Sequence, residues 1–201
     1  MKWISAEEVA ARTPYGDLVE ALREGFMADI ETPVRHHHDT INNTTLLLMP
    51  AWGAQYTGLK TTTFKPDNPA QGFPTIQAVY MLIDNQTASP VCLMDGTELT
   101  RRRTAAASAL AADYLARKDS STLLLVGAGA LGRHFVLAHA AVRPIKTVLV
   151  YNRGSEKSHQ LAALLTADGF AAEVVGDVEA ATRRADIISC VTSATAAIIK
   201  G

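Results

Sequence analysis

The apolar run LLLV, residues 123–126, stops at a glycine-spaced turn and passes into a helical pattern in the stretch LLLVGAGALGRH. Gly127, Gly129 and Gly132 form G-x-G-x-x-G directly after this predicted strand, the context in which the spacing has physical meaning. The first glycine permits a tight turn, the second lets a pyrophosphate approach backbone N–H groups, and the third lets helix and strand pack closely. The motif predicts a dinucleotide site; a glycine turn kept only for helix–strand packing is the alternative.

The segments from residue 121 onward alternate between strand and helix patterns. The predicted strands are TLLLV, TVLVYN, AEVV and DIISCVT, and the predicted helices between them begin at the glycine turn, at SEKSHQLAALLTAD and at VEAATRRA. Alternating β and α segments predict a parallel sheet flanked by helices. We therefore expect an α/β fold with a Rossmann-type parallel sheet in this half of the chain.

The beginning of the chain has a different pattern. Ser5 and Glu8 match a capping box, which predicts the start of a helix. Apolar residues beyond Pro14 recur at helical spacing, and together they predict that an amphipathic helix opens the protein. These residues are Leu18, Leu22, Phe26 and Ile30.

Short segments rich in threonine and apolar residues follow between residues 43 and 99, namely NTTLLLMP, QYTGLKTTTF, TIQAVYMLID and PVCLMD. They predict a strand-rich region with antiparallel or mixed pairing. The alanine-rich stretch RRRTAAASALAADYLAR then predicts a helix, with Thr100 as its N-cap. We expect an α+β domain over residues 1–115 and a dinucleotide-binding domain over residues 116–201.

The composition excludes several classes of protein. With 201 residues and 48% hydrophobic content, the chain can bury a sizeable core. A net charge of -1, and no basic tract beyond residues 101–103, argue against a nucleic-acid partner. No apolar run approaches the roughly 18 residues that span a bilayer, and the first residues are charged, so we expect a cytoplasmic protein without a membrane segment.

The two cysteines, Cys92 and Cys190, lie in apolar stretches without metal-binding spacing. This usage suits a reducing compartment, and it predicts that both thiols are unpaired and buried. The stretch RHHHD, residues 35–39, could suggest a metal site, but three consecutive side chains cannot converge on one ion with ordinary spacing. We therefore expect no bound metal.

The end of the second strand of the parallel sheet bears on the choice of dinucleotide. A carboxylate that accepts hydrogen bonds from the ribose hydroxyls is typical there, but this strand ends in Asn152, followed by Arg153 and Lys157. A neutral side chain followed by cations suits a 2′-phosphate, because a guanidinium offers charge-assisted hydrogen bonds. The pattern favours NADP(H) over NAD(H), with Arg153 as a solvated loop cation the alternative.

Two cations in the first half are candidates for substrate chemistry. Lys60 lies in GLKTTTF, where threonines on both faces of a predicted strand suggest the wall of a polar cavity. An edge-strand lysine is the alternative. Arg103 is expected in the first turn of the alanine-rich helix, where its guanidinium and unpaired backbone N–H groups would bind a carboxylate. A solvated face is the alternative for any one of these adjacent arginines.

Several stretches taken together resemble the ornithine cyclodeaminase and mu-crystallin family: GLKTTTFKPDN, GFPTIQAV, LMDGTELTRRRTAAASALAADYLAR, LLLVGAGALGR, VYNR and ADIISCVTSAT. The resemblance covers essentially the whole chain. Its most specific part is the T-x-x-R-T-A-A-x-S pattern before the glycine motif, a pairing that generic dehydrogenases lack. The chain is thus similar to a known family along its entire length.

The resemblance implies a two-domain enzyme: a substrate-binding and dimerisation domain followed by a nicotinamide-binding Rossmann domain. It implies a homodimer acting on small amino or imino acids. Family members continue beyond the position of Gly201, so we expect the Rossmann sheet of these residues to be partial, and the family's catalytic aspartate falls beyond Gly201 and is not assigned. The substrate-carboxylate and catalytic positions fall on Arg35, Lys60 and Arg103. The cofactor contacts fall on Thr75, Arg103, Ala130, Leu131, Asn152 and Thr192.

One departure from the family pattern bears on the activity. Ornithine cyclodeaminases are expected to place an acidic residue before the Met-Pro pair, to receive the distal ammonium, whereas Leu47 occupies that place here. The resemblance thus favours NAD(P)H-dependent reduction of Δ1-pyrroline-2-carboxylate or Δ1-piperideine-2-carboxylate to proline or pipecolate. Ornithine cyclodeamination, with NAD recycled, is one alternative. A mu-crystallin-type protein that binds NADPH and a small ligand is another.

Overall fold

The computed structural model describes residues 1–200, and their internal contacts divide the chain into two compact units. One unit contains Met1–Pro14 and Arg23–Thr100, and the other contains Tyr15–Leu22 and residues from 101 onward. The alanine-rich helix is continuous across residues 100 and 101, so its first residues belong to one unit and the rest to the other. The domain assignment with a boundary after residue 115 stays a prediction.

The first unit is built on a mixed sheet. Its strands are β1 (Lys2–Ile4), β2 (His36–Thr40), β3 (Thr44–Trp52), β4 (Tyr56–Phe64), β5 (Ile76–Asp84) and β6 (Pro90–Asp95). Their order in space is β1-β6-β5-β4-β3-β2, with β1 parallel to β6 and all other neighbours antiparallel. The expected strand-rich region is confirmed. The sequence did not predict β1, which is very short, or β2, whose HHHDT segment lacks apolar alternation.

Two helices follow β1, where one helix was expected at the start of the chain. Helix α1 spans Ala6–Arg12, and its capping box is confirmed: the Ser5 hydroxyl accepts a hydrogen bond from the Glu8 N–H, and the Glu8 carboxylate accepts one from the Ser5 N–H. Helix α2 spans Tyr15–Met27, after Pro14. Ile30 lies outside it because the backbone becomes extended at Ala28.

Helix α3 spans Gly96–Leu115, so the prediction that Thr100 is its N-cap was wrong. The Asp95 carboxylate accepts a hydrogen bond from the Glu98 N–H at 2.6 Å, which starts the helix one turn earlier. Arg103 is therefore the eighth helical residue, and the expectation that it lies in the first turn was also wrong. Its backbone N–H is positioned within the helix and is not available to a ligand.

The second unit contains the expected alternation of strands and helices. Its elements after α3 are β7 (Thr122–Val126), α4 (Gly132–Ala140), β8 (Thr147–Tyr151), α5 (Ser155–Ala167), β9 (Ala171–Val174), α6 (Val178–Arg184) and β10 (Ile187–Cys190). The four strands are all parallel and have the order β10-β7-β8-β9. The prediction of an α/β fold with a parallel sheet is confirmed.

Strand β7 supplies the centre of the hydrophobic core. Its side chains alternate between the two sheet faces: Leu123 and Leu125 belong to a cluster with residues of α3, α4 and α5. Leu124 and Val126 belong to a second cluster, with Ala181 of α6. These four residues of β7 are buried, as is typical of a parallel strand covered on both faces.

The segment from Tyr15 to Leu22 packs within the second unit. Val19 is 1% exposed and belongs to the larger core cluster. The Tyr15 hydroxyl is hydrogen-bonded to Nδ1 of His134 at 2.7 Å, and the Arg102 guanidinium lies 4.3 Å from the centre of the Tyr15 ring. An early part of the chain is thus built into the core of the later unit.

The prediction that both cysteines are buried holds for only one of them. Cys92 is buried in β6, whereas Cys190 is exposed. In β10, Ile187 and Ser189 face inward while Ile188 and Cys190 face outward. An apolar neighbourhood in the sequence does not fix burial in a strand, because successive side chains point to opposite faces. Both cysteines are free thiols, as expected.

Arg143 closes the C-terminal end of α3. Its side chain is 1% exposed, and Nη1 contacts the Asp113 carboxylate at 2.5 Å. Nη2 also donates to the backbone carbonyl groups of Ala112 at 3.2 Å and Ala116 at 3.0 Å. Ala112 lies in the last turn and Ala116 just beyond it, a region where most helix C=O groups lack partners within the helix. The Ala112 carbonyl also accepts a hydrogen bond from the Ala116 N–H at 2.8 Å. One buried guanidinium therefore satisfies both a carboxylate and the helix end.

We expect Arg143→Ala to lower the free energy of unfolding by about 3 to 5 kcal/mol, because it leaves Asp113 and the helix carbonyls without their buried partner. Urea unfolding followed by circular dichroism measures the loss. The control is Arg183→Ala, which removes a highly exposed i,i+4 ion pair with Glu179 and should cost about 0.5 kcal/mol or less. Equal losses in the two variants would contradict the role given to Arg143.

Candidate dinucleotide cleft and substrate residues

A cleft lies at the carboxyl ends of the strands in the second unit. The chain runs outward from β7 to β8 and β9, and then returns to β10 on the other side of β7. Open α/β sheets bind ligands at such a reversal of strand order. The cleft has a volume of about 900 Å³ and is lined by the segments that follow β7, β8 and β10. Its size and position suit an extended ligand such as a dinucleotide.

The three motif glycines are required for different reasons. Gly127 has φ +117°, and a Cβ there would lie 2.3 Å from the carbonyl oxygen of Val191. A Cβ on Gly132 would lie 2.8 Å from the Leu161 side chain, so this glycine permits α4 to pack closely. A Cβ on Gly129 would meet nothing within 4 Å. Close approach of the backbone at Val191 explains Gly127, and close packing of α4 explains Gly132. No contact within the protein requires a glycine at position 129, which leaves open space there for a ligand.

Asn152 connects the loops after β7 and β8. Its Oδ1 accepts a hydrogen bond from the Ala128 N–H at 3.3 Å, and its Nδ2 donates to the Gly154 carbonyl at 2.9 Å. The side chain therefore holds the glycine turn in place, a role that the sequence analysis missed because the contact is non-local. Arg153 and Lys157 are exposed and line the same cleft, where they add positive charge.

The segment after β10 supplies hydroxyl groups to the cleft. Thr192 was expected there, but Ser193 and Thr195 also line the cleft and were missed. The available signal was the polar run that follows the last apolar strand. The Thr192 hydroxyl accepts a hydrogen bond from the Ala194 N–H at 3.1 Å, which shapes this loop.

The cleft thus brings together half of the expected cofactor residues. Gly127, Gly129, Asn152, Arg153 and Thr192 all line it. Ala130 and Leu131 form the turn between Gly129 and the start of α4 at Gly132. The open space at Gly129, the N-terminal end of a helix and the nearby cations fit a dinucleotide with its phosphates at the turn.

Lys60 lies in the interior of the first unit's sheet. Strand β4 is hydrogen-bonded to β3 on one side and β5 on the other, so the alternative of an edge-strand lysine was wrong. Lys60 pairs with Met49 and with Tyr80, and directly paired residues point to the same face. The side chain is half-buried. The backbone pairing therefore places Lys60 on the same sheet face as Met49 and Tyr80.

Leu47 lies on the same face of the sheet as Lys60. It pairs with Thr62, which is two residues from Lys60 along β4. Thr62 is 8% exposed, and Leu47 is half-buried. The position expected to carry a carboxylate in cyclodeaminases is therefore an apolar part of the Lys60 face.

The other expected substrate and cofactor residues are divided between the two units. Arg35 is exposed and immediately precedes β2, whose first residue, His36, pairs with Leu48. Continuing this register brings Arg35 level with Met49, the residue that pairs with Lys60. Arg103 belongs to the second unit. Thr75 belongs to the first unit, and its carbonyl accepts a hydrogen bond from the Lys65 N–H at 2.9 Å.

The histidine-rich strand β2 has local contacts. His37 lies 3.3 Å from the Asp39 carboxylate, and the rings of His36 and His38 stack with centres 6.3 Å apart. Within residues 1–200, no three His, Cys, Asp or Glu side chains converge in a way that could hold a metal ion. In the same residues, every helix is too short or too polar to cross a bilayer.

Residues 3–201 match the Ornithine cyclodeaminase/mu-crystallin family. The chain belongs to this family. A Delta(1)-pyrroline-2-carboxylate reductase of Colwellia psychrerythraea is 36% identical over 211 residues, which cover 100% of this chain and 66% of that protein. The chain spans about two thirds of the length of the curated relatives it matches, with coverage of 64% and 65% for two others.

Several solved structures also resemble this protein. The Delta(1)-pyrroline-2-carboxylate reductase of Thermococcus litoralis, solved with NADH and L-proline, has a TM-score of 0.83 and 29% identity, covering 94% of this chain and 61% of that one. A lysine cyclodeaminase that recognises L-lysine, L-ornithine and L-2,4-diamino butyric acid also has a TM-score of 0.83 and 29% identity, covering 97% and 61%. The fold therefore occurs in both reductases and cyclodeaminases.

We expect Gly129→Ala to weaken binding of NADH and NADPH by at least about tenfold, because the added methyl would occupy space used by the phosphates, while unfolding stability changes by less than about 0.5 kcal/mol. Quenching of intrinsic fluorescence measures binding, and thermal unfolding measures stability. Gly127→Ala is the contrasting variant and should destabilise the protein by about 1 to 3 kcal/mol through backbone strain. Unchanged binding in Gly129→Ala would show that this glycine is not reserved for a ligand.

Proposed function

We propose that this protein is an NAD(P)H-dependent reductase of a cyclic imino acid, Δ1-pyrroline-2-carboxylate or Δ1-piperideine-2-carboxylate, with proline or pipecolate as product. The observation that carries the proposal is the apolar Leu47 on the Lys60 face, opposite Thr62. A substrate with a distal ammonium would leave that charge against an apolar side chain, whereas a cyclic imine has no second amine. The similarity to pyrroline-carboxylate reductases supports the same assignment.

In this proposal, the residues of this chain that act on the substrate are Lys60, Arg35 and Arg103. The two guanidinium groups bind the substrate carboxylate, for which their forked donors are suited. Lys60 holds a proton at Nζ and donates it to the imine nitrogen as the C=N bond becomes a single bond. A reduced nicotinamide, when bound, supplies the hydride to the imine carbon. The fixed carboxylate orients the imine and so lowers the entropic cost of reaction.

The cleft of the second unit is the proposed cofactor site. Gly129 and the turn at Ala130 and Leu131 would receive the phosphates, while Thr192 would contribute a hydroxyl. Thr75 and Arg103 are further cofactor contacts by family resemblance. NADP(H) is the favoured dinucleotide, supported by the exposed Arg153 at the end of β8 and by the engagement of Asn152 with the protein backbone.

The proposed protein is a homodimer in the cytoplasm. It binds a small imino acid and interacts with neither nucleic acid nor membrane. Large exposed apolar side chains on the first unit support self-association, because association would remove them from water. Among them are Phe26 at 73%, Met27 at 75%, Val34 at 89% and Ile41 at 81% exposed.

The central experiment compares substrates for the full-length protein. NADPH or NADH is incubated with the five- or six-membered imine, and ornithine with NAD serves as the control. Oxidation of the reduced cofactor with either imine supports the reductase. Proline and ammonia from ornithine would instead support the cyclodeaminase, and cofactor binding without turnover of any of these substrates would support a binding protein of mu-crystallin type.

We expect Lys60→Ala and Arg103→Ala each to lower kcat/KM for the imine by at least about a hundredfold, the scale of one lost charged catalytic contact. Thr61→Val is the matched control in β4, since its side chain faces the opposite side of the sheet, and it should leave kcat/KM within about threefold of wild type. Steady-state assays measure these values. Near-normal turnover of Lys60→Ala or Arg103→Ala would remove that residue from the proposed site.

Arg153→Ala should weaken NADPH binding by about ten- to hundredfold, because it removes charge-assisted hydrogen bonds to the 2′-phosphate. NADH binding should change much less. The preference for NADPH should also narrow as salt rises, since the contact is partly exposed. Isothermal titration with both cofactors at two salt concentrations tests this. Equal dissociation constants at low salt, unaltered by the substitution, would identify Arg153 as a solvated loop residue.

A further inference from the structure

Tyr80 lies beside Lys60 on the same face of the sheet. The two residues are directly paired between β5 and β4. Their Cβ atoms are therefore about 5 Å apart and point to the same side. Tyr80 is half-buried, so part of its side chain remains accessible on that face.

Gly58 determines how the Tyr80 ring lies. A Cβ on Gly58 would fall 1.8 Å from the Tyr80 hydroxyl oxygen and 2.6 Å from the adjoining ring carbon. Gly58 is two residues from Lys60, about 6.5 Å along β4, which matches the reach of a tyrosine side chain. The ring therefore runs diagonally across the sheet from residue 80 to residue 58. It occupies the place that any other residue at position 58 would fill.

We propose that Tyr80 is a specificity-determining residue, whose ring, laid over Gly58, forms the surface against which the ring of the cyclic imine packs next to Lys60. This inference rests on the proposed function. Aromatic faces suit the methylene groups of a small ring, and they attract a cation through the ring quadrupole. The imine becomes cationic when Lys60 protonates it, so the same face stabilises both the apolar and the charged parts of the substrate.

The phenol remains neutral at physiological pH. Burial raises the pKa of Tyr80, with a smaller contribution from Cys92, so the hydroxyl keeps its proton. A neutral phenol does not repel the substrate carboxylate and does not neutralise the Lys60 ammonium.

The position of the Tyr80 ring also explains why Gly58 lies in the interior of a central strand, where a glycine is otherwise unfavourable.

The test uses the full-length protein and both imines. Tyr80→Leu removes the ring, and Tyr80→Phe keeps it. Gly58→Ala displaces the end of a flexible side chain rather than backbone, so it should fold while moving the ring. We expect Tyr80→Leu and Gly58→Ala to raise KM for the imine about tenfold and to alter the ratio of kcat/KM between five- and six-membered substrates. Tyr80→Phe should stay within about threefold of wild type.

The combined variant Gly58→Ala/Tyr80→Leu distinguishes this role from general destabilisation. Its KM should equal that of Tyr80→Leu, because Gly58 acts only through the ring. Met81→Leu, on the opposite face of β5, is the matched control and should leave KM unchanged. If the wild type reduces an imine but Tyr80→Leu and Gly58→Ala keep the wild-type KM and substrate ratio, this inference is overturned and the proposed function stands. A wild type that reduces neither imine with NADH or NADPH would overturn the proposed function, and the inference with it.

Discussion

The close approach of two backbone segments, at Gly127 and Val191, determines the architecture of the candidate dinucleotide cleft. Only a residue without Cβ fits at Gly127, because the Val191 carbonyl oxygen lies where that atom would be. The contact joins the end of β7 to the end of β10, which are neighbours in the sheet. The chain reverses its direction across the sheet at this point, and the loops that diverge from it leave the cleft between them. Asn152 then fixes the third loop to the glycine turn.

The parallel sheet could be predicted because its elements are periodic and local. Each apolar strand is followed by a turn signal and a helical pattern, so short stretches of sequence predict the order and type of the elements. The start of α3 was harder to predict, because Thr100 and Asp95 are both acceptable N-cap residues and the choice depends on where β6 ends. Cys190 shows the same limit, since strand alternation decides its exposure and the sequence pattern was apolar on both faces.

Part of the candidate site could also be predicted, namely the glycine turn, the cations after β8 and Lys60. The contacts that connect these residues to the rest of the protein are non-local. The pairing of Leu47 with Thr62, and the position of the Tyr80 ring over Gly58, depend on the register between strands. A slip by one residue would move each side chain to the other face, so no short stretch of sequence contains this information. Local patterns identify candidate groups, and register determines which of them share a surface.

The path of the chain through Tyr15–Leu22 has a consequence for how the protein is made. Val19 is part of a core whose other buried members lie beyond residue 100. The chain on either side of Tyr15–Leu22 belongs to the first unit. During synthesis, this segment emerges from the ribosome long before its packing partners exist. Its apolar side chains therefore stay without their native contacts until β7 and α4 have been translated. Completion of the second core is a late, long-range event, and such contacts slow folding because the intervening chain must be closed into a loop.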